Sequence, residues 1–148
     1  MIDSMPPAEV ANSDRFERLG LDADATAVAH VREEFAEWLK RFFVVDAVRF
    51  SDLVLAINEA LANAAEFAYV LAERPGTIDM RAIYDSDGQK LVVEISDRGT
   101  WRPRQVDPVP RTRGRGIPLM ETLSDESDID TSDDGTHVRL AWNGIGRA

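Results

Sequence analysis

Between Phe50 and Ala68 the apolar residues Phe50, Leu53, Val54, Ile57, Leu61, Ala64 and Ala68 recur largely at intervals of three and four, the spacing of one face of an amphipathic helix. At about 100° per residue they lie within about 60° of one line. Ser51 or Asp52 is the expected cap, and the helix is expected to run to about Leu71, before Arg74-Pro75-Gly76 stops it. The same period in Val28, Val31, Phe35, Trp38, Leu39 and Phe42 predicts a helix from about Thr26 to Phe43, with Asp24 as the candidate N-cap. Val44 to Arg49 reads as the connection between the two. Alternating apolar residues predict a first strand over Phe16 to Leu21. They also predict a hairpin of Thr77 to Tyr84 and Lys90 to Ser96 around the Gly88-bearing turn, and a closing hairpin of Ser127 to Thr131 and Thr136 to Trp142. Ile117 to Leu123 reads as a short helix.

Segregated strands and helices point to an α+β fold, a two-layer sandwich with helices covering one face of a mixed or antiparallel sheet. The chain of 148 residues is long enough for one domain with its own core. Residues 1–13, with Pro6 and Pro7, read as a loose tail, and residues 14–148 as the single domain. There is no cysteine, and the two histidines, His30 and His137, stand apart; disulfide frameworks, thiolate sites and zinc constellations are excluded. No apolar run reaches the length of a membrane span, and the first residues lack the pattern of a secretory leader, so a cytoplasmic location is expected. A net charge of −10 argues against nucleic acid as a partner.

Two features carry chemistry. Glu59 and Asn63 form an i,i+4 pair on a flank of the long helix away from its apolar line, with the small Ala56 and Ala60 beside them. Asparagine is a poor helix former, and a carboxylate beside a carboxamide offers oxygen ligands of the kind a hard cation such as magnesium takes. The second feature is local charge reversal. Arg98, Arg102, Arg104, Arg111, Arg113 and Arg115 crowd a Pro- and Gly-rich stretch of an acidic chain, which suits an anionic small ligand or acidic partner. At residues 97–115 that stretch is also longer than a plain connection.

Four pieces follow in one order: Glu59-x-x-x-Asn63, Asp97-x-Gly99, Gly114-x-Gly116 and Gly135-Thr136. In order and spacing they resemble the nucleotide-binding boxes of the GHKL ATPase superfamily. Asn58-Glu59-Ala60-x-x-Asn63-Ala64 and Gly114-Arg115-Gly116-Ile117-x-Leu119-Met120 look most like the bacterial anti-sigma factor serine kinases within it. The resemblance covers about residues 15 to 143 and implies the Bergerat fold. It departs at Trp101, where the superfamily often has a second glycine, at Phe67, where these kinases often carry histidine, and in the short span from Asp97 to Gly114.

The resemblance implies ATP and Mg2+ as cofactors. In it, Asp97 would read the adenine amino group, and Gly99 would let the chain turn against the base. Thr136 would reach the adenine pocket. Gly114 and Gly116 would bring backbone N–H groups to phosphate at the helix start near Ile117, with Arg113 and Arg115 adding charge. Asn63 would ligate magnesium and Glu59 would act as general base. The implied function is an ATP-dependent serine/threonine kinase that sequesters a sigma factor and phosphorylates a STAS-type antagonist, usually as a homodimer. Two alternatives stand beside it: a nucleotide-sensing binding module without transfer activity, and a detached histidine-kinase-like ATPase domain.

Overall fold

The computed structural model describes residues 9–70, 76–97, 116–132 and 135–148. Its described elements run β1 (Glu9–Ala11), β2 (Arg15–Asp22), α1 (Ala25–Phe42), β3 (Phe43–Val44), α2 (Ala47–Val70), β4 (Thr77–Asp85), β5 (Lys90–Asp97), α3 (Gly116–Leu123), β6 (Glu126–Ser132), β7 (Gly135–Trp142) and β8 (Gly146–Arg147). Six strands form one sheet in the order β1-β2-β4-β5-β7-β6, and every pairing in it is antiparallel. The α+β expectation is met, and of the two sheet types anticipated the antiparallel one is found.

Alternation decides which face the helices cover. On the inner face the register stacks Tyr84, Leu91 and Trp142 in one rung, Ala82, Val93 and Leu140 in the next, and Met80, Ile95 and Val138 in a third. All nine are buried. Helix α2 lies across β4, β5 and β7, α1 packs on β2 and α2, and α3 packs on α2. The outer face carries a row of alternating charge, Asp128, Arg139, Glu94, Arg81 and Glu17, across five strands. Arg81 lies 3.5 Å from Glu17 and Arg139 4.0 Å from Glu94. A one-residue slip would put these charges into the core, so the row helps to fix register.

Several details differ from the sequence reading, each for a local reason. Residues 9–11, assigned to the tail, pair with β2 as β1. Helix α2 starts at Ala47, not after Ser51 or Asp52: the Asp46 carboxylate accepts from Arg49 N at 2.8 Å and is the cap. The turn between β4 and β5 places Gln89, not Gly88, in the left-handed region (φ 51°), a conformation that costs a non-glycine residue about 1–2 kcal/mol. Strands β3 and β8 pair as a small ribbon that the alternation did not announce. The Asp24 cap was anticipated, and its side chain accepts from Ala27 N.

Strand β2 contains a bulge between Arg18 and Leu21. Gly20 adopts φ 75°, which a Cβ would strain, and its N–H donates to Asp79 Oδ1 at 2.9 Å. The extra residue shifts Leu21 onto the inner face beside Ile78. The sheet end that carries Asp97 is thereby kept apolar on its β2 side.

Candidate nucleotide site

On the central strands β4, β5 and β7 the inner-face rungs stay apolar until the last one. There Ile78 pairs with Asp97, and the β5–β7 register, whose last pair is Ser96 with His137, carries Asp97 on to Thr136 one step further. Two polar side chains, 5% and 2% exposed, thus end the two central apolar columns side by side. Burial of polar groups costs free energy unless they are hydrogen-bonded. Asp97 has interactions in the fold. The Thr136 hydroxyl is buried without a hydrogen-bond partner among the described residues.

An orphaned hydroxyl beside a carboxylate at the sheet end fits a ligand edge that both donates and accepts, as the Watson–Crick edge of adenine does. This gives a prediction with two opposite signs. Thr136→Val keeps the shape and removes the unsatisfied group, which costs about 1–3 kcal/mol. The free protein should therefore melt about 2–10 °C higher, while its ATP affinity falls. A melting scan with and without ATP checks both signs; lower stability in the free variant would contradict this reading of the hydroxyl.

Glu59 and Asn63 sit one turn apart on α2, both half-buried. Ala56 and Ala60 are fully buried members of the core cluster, so they are packed rather than the floor of an open space. Among the described residues no three His, Cys, Asp or Glu side chains cluster as a metal site. The oxygens of Asn63 and Glu59 suit a hard cation that completes its shell with water and phosphate oxygens. Gly116 opens α3 and Ile117 lies in its first turn. The Ser124 hydroxyl closes the same helix by donating to Met120 O at 2.8 Å. Gly99, Arg113, Gly114 and Arg115 lie outside the described residues.

One contact was not read from the sequence. Arg32 of α1 donates from Nη1 to Asn58 Oδ1 at 2.9 Å, tying the residue before Glu59 to the neighbouring helix. The available signal was weak: Arg32 adjoins Val31 at the margin of α1's apolar face. Two of the tryptophans belong to the core. Trp38 is buried and donates from Nε1 to Asn12 O, and Trp142 is buried and donates to Leu123 O. His137 is exposed, and His30 is exposed beside Glu34.

A helix-covered antiparallel sheet with buried Asp and Thr at its end, facing a helix that carries Glu and Asn, defines a nucleotide-binding α+β domain of the GHKL type. Residues 21–142 match the histidine kinase-like ATPase domain, and the chain belongs to that family. Its structure is similar to the crystal structure of the RsbU and RsbW domains of Rv1364c from Mycobacterium tuberculosis, with a TM-score of 0.63 and 26% identity. The match covers 95% of this chain and 33% of that one, so this chain spans about a third of its length. No curated protein sequence matches significantly. Among the described residues no helix is long and apolar enough to cross a membrane.

Proposed function

We propose that this protein is an ATP-dependent serine/threonine protein kinase and anti-sigma factor. In this reading it holds a sigma factor as a cytoplasmic homodimer and releases it when a STAS-type antagonist competes. The observation that carries the proposal is the burial of Asp97 and Thr136, one step beyond the last β5–β7 pair, at the end of the sheet that α2, the helix of Glu59 and Asn63, packs across. Family membership and the similarity to a structure containing an RsbW domain support it.

Each residue has a separable task. Asp97 and Thr136 select the base. Asn63 supplies an oxygen ligand to Mg2+, which neutralises charge on the phosphates. Glu59 takes the proton from the attacking serine hydroxyl. The serine oxygen forms a bond to the γ-phosphorus as the bond from that phosphorus to the β,γ-bridging oxygen breaks, leaving ADP and phosphoserine. A dianion placed at a packed interface would weaken the antagonist's hold on the kinase, so phosphorylation would favour sequestration of the sigma factor.

The experiment is transfer of labelled γ-phosphate to a purified STAS-domain protein encoded by the same genome. The expected product is acid-stable phosphoserine or phosphothreonine. Glu59→Gln should lower the transfer rate by about 10²-fold or more, the scale of general base catalysis, with ATP affinity nearly unchanged. Acid-labile phosphohistidine would point to the histidine-kinase alternative. ATP binding without transfer to any STAS protein of that genome would leave the binding-module reading.

A further inference from the structure

The flank of α2 that bears Asn58, Ala62 and Ala65 lies roughly 110° around the helix axis from Glu59 and Asn63. A cleft of about 570 Å3 opens there. Helix α1 lines it with Ala25, Val28, Ala29 and Arg32, and α2 with Ala62 and Ala65. Facing helices normally interdigitate side chains to crystal-like density. Here methyl groups stand where larger side chains would fill the gap, and the volume falls in the range of small-molecule sites.

Among the described residues the cleft has one cation, Arg32, and no carboxylate pairs with it. Among the described residues every other lysine or arginine is within reach of a carboxylate or lies over an aromatic ring. Among those residues Arg32 makes one bond, to Asn58, which uses one of the five N–H donors of a guanidinium. This holds in a chain with 27 acidic residues against 17 basic ones, three of them on the same helix at Glu33, Glu34 and Glu37. A half-buried guanidinium with donors to spare is a carboxylate receptor. At the other end of the cleft, Asp24 holds a negative charge as the α1 cap, about 12 Å along the axis from Arg32. A second anionic group on the ligand would be repelled there.

We propose that this cleft binds a small amphipathic monocarboxylate, its carboxylate on Arg32 and its compact apolar body against the alanine walls. A protein partner fits less well. Interfaces centre on large apolar or aromatic anchors, and among the described residues none of the exposed large apolar side chains, Val44, Val48, Leu55 and Ile83, lines this cleft. Its described lining includes none of Glu59, Asn63, Asp97 and Thr136.

The test titrates 4-phenylbutyrate into the full chain without nucleotide, with 4-phenyl-1-butanol as the neutral counterpart. Saturable binding is expected for the acid, with the alcohol at least tenfold weaker. Arg32→Gln should weaken the acid at least tenfold and leave the alcohol unchanged. Ala62→Leu, at an exposed helix position that tolerates a larger side chain, should fill the cleft and abolish binding of both. Absence of saturable binding, equal affinity for acid and alcohol, or indifference to Ala62→Leu would each overturn the proposal. It is also overturned if the two variants abolish capture of a STAS-domain protein while the acid still binds, because the cleft is then a protein contact.

Discussion

Asp97→Asn is expected to weaken ATP binding by about 10- to 100-fold while leaving the fold intact. Asp97 is 5% exposed at the end of a row of buried apolar residues, so its hydrogen bonds are shielded from competing water. Hydrogen bonds to charged groups are worth about 1.5–3 kcal/mol, against about 1 for neutral pairs, and each 1.4 kcal/mol is a factor of ten in affinity. The carboxamide keeps the shape but loses the charge and introduces a donor where the adenine amine also donates. Guanine carries a carbonyl at that ring position, so the same change should narrow the preference for ATP over GTP. Calorimetric titration of both nucleotides measures this. An Asp97→Asn variant that binds ATP like the wild type would remove Asp97 from the base pocket.

Phe35→Ala should be the most destabilising of these substitutions, at about 3–5 kcal/mol. Phe35 is fully buried on α1, with ring centroids 5.6 Å from Phe16 and 5.7 Å from Trp38. Trp38 continues the cluster to Phe43 at 5.0 Å, and Phe43 to Tyr84 at 4.7 Å. The cluster joins β2, α1, β3 and β4, so a cavity at Phe35 removes contacts from both layers, with little scope for one element to collapse into it. Domains of this kind have total stabilities of about 5–15 kcal/mol, and the melting temperature should fall by roughly 10 °C. Denaturant unfolding of the variant would contradict this packing account if the loss stayed below about 1 kcal/mol.

What was legible in the sequence was what periodicity and box order encode. The apolar line from Phe50 to Ala68 marked α2, and alternation marked the β4–β5 and β6–β7 hairpins. The adjacency of Asp97 and Thr136 follows from the β5–β7 register, and each had been named separately. The start of α2 was misread because Ala47 and Val48 in its first turn face solvent; with nothing buried there, the apolar period begins only later. Strand β1 has three residues and the β3–β8 ribbon two in each strand, too few for alternation to register. The bond between Arg32 and Asn58 joins residues on different helices, and neither helix's own pattern contains it.

The central claim is that this chain carries a working nucleotide site of the GHKL type. Calorimetric titration of ATP into the wild-type protein, with and without Mg2+ and alongside Asn63→Ala, tests it most directly. The account predicts saturable binding that depends on Mg2+, with Asn63→Ala at least tenfold weaker and still folded. A folded wild-type protein that takes up no ATP with Mg2+ present would contradict it, and the fold would then serve protein contacts alone.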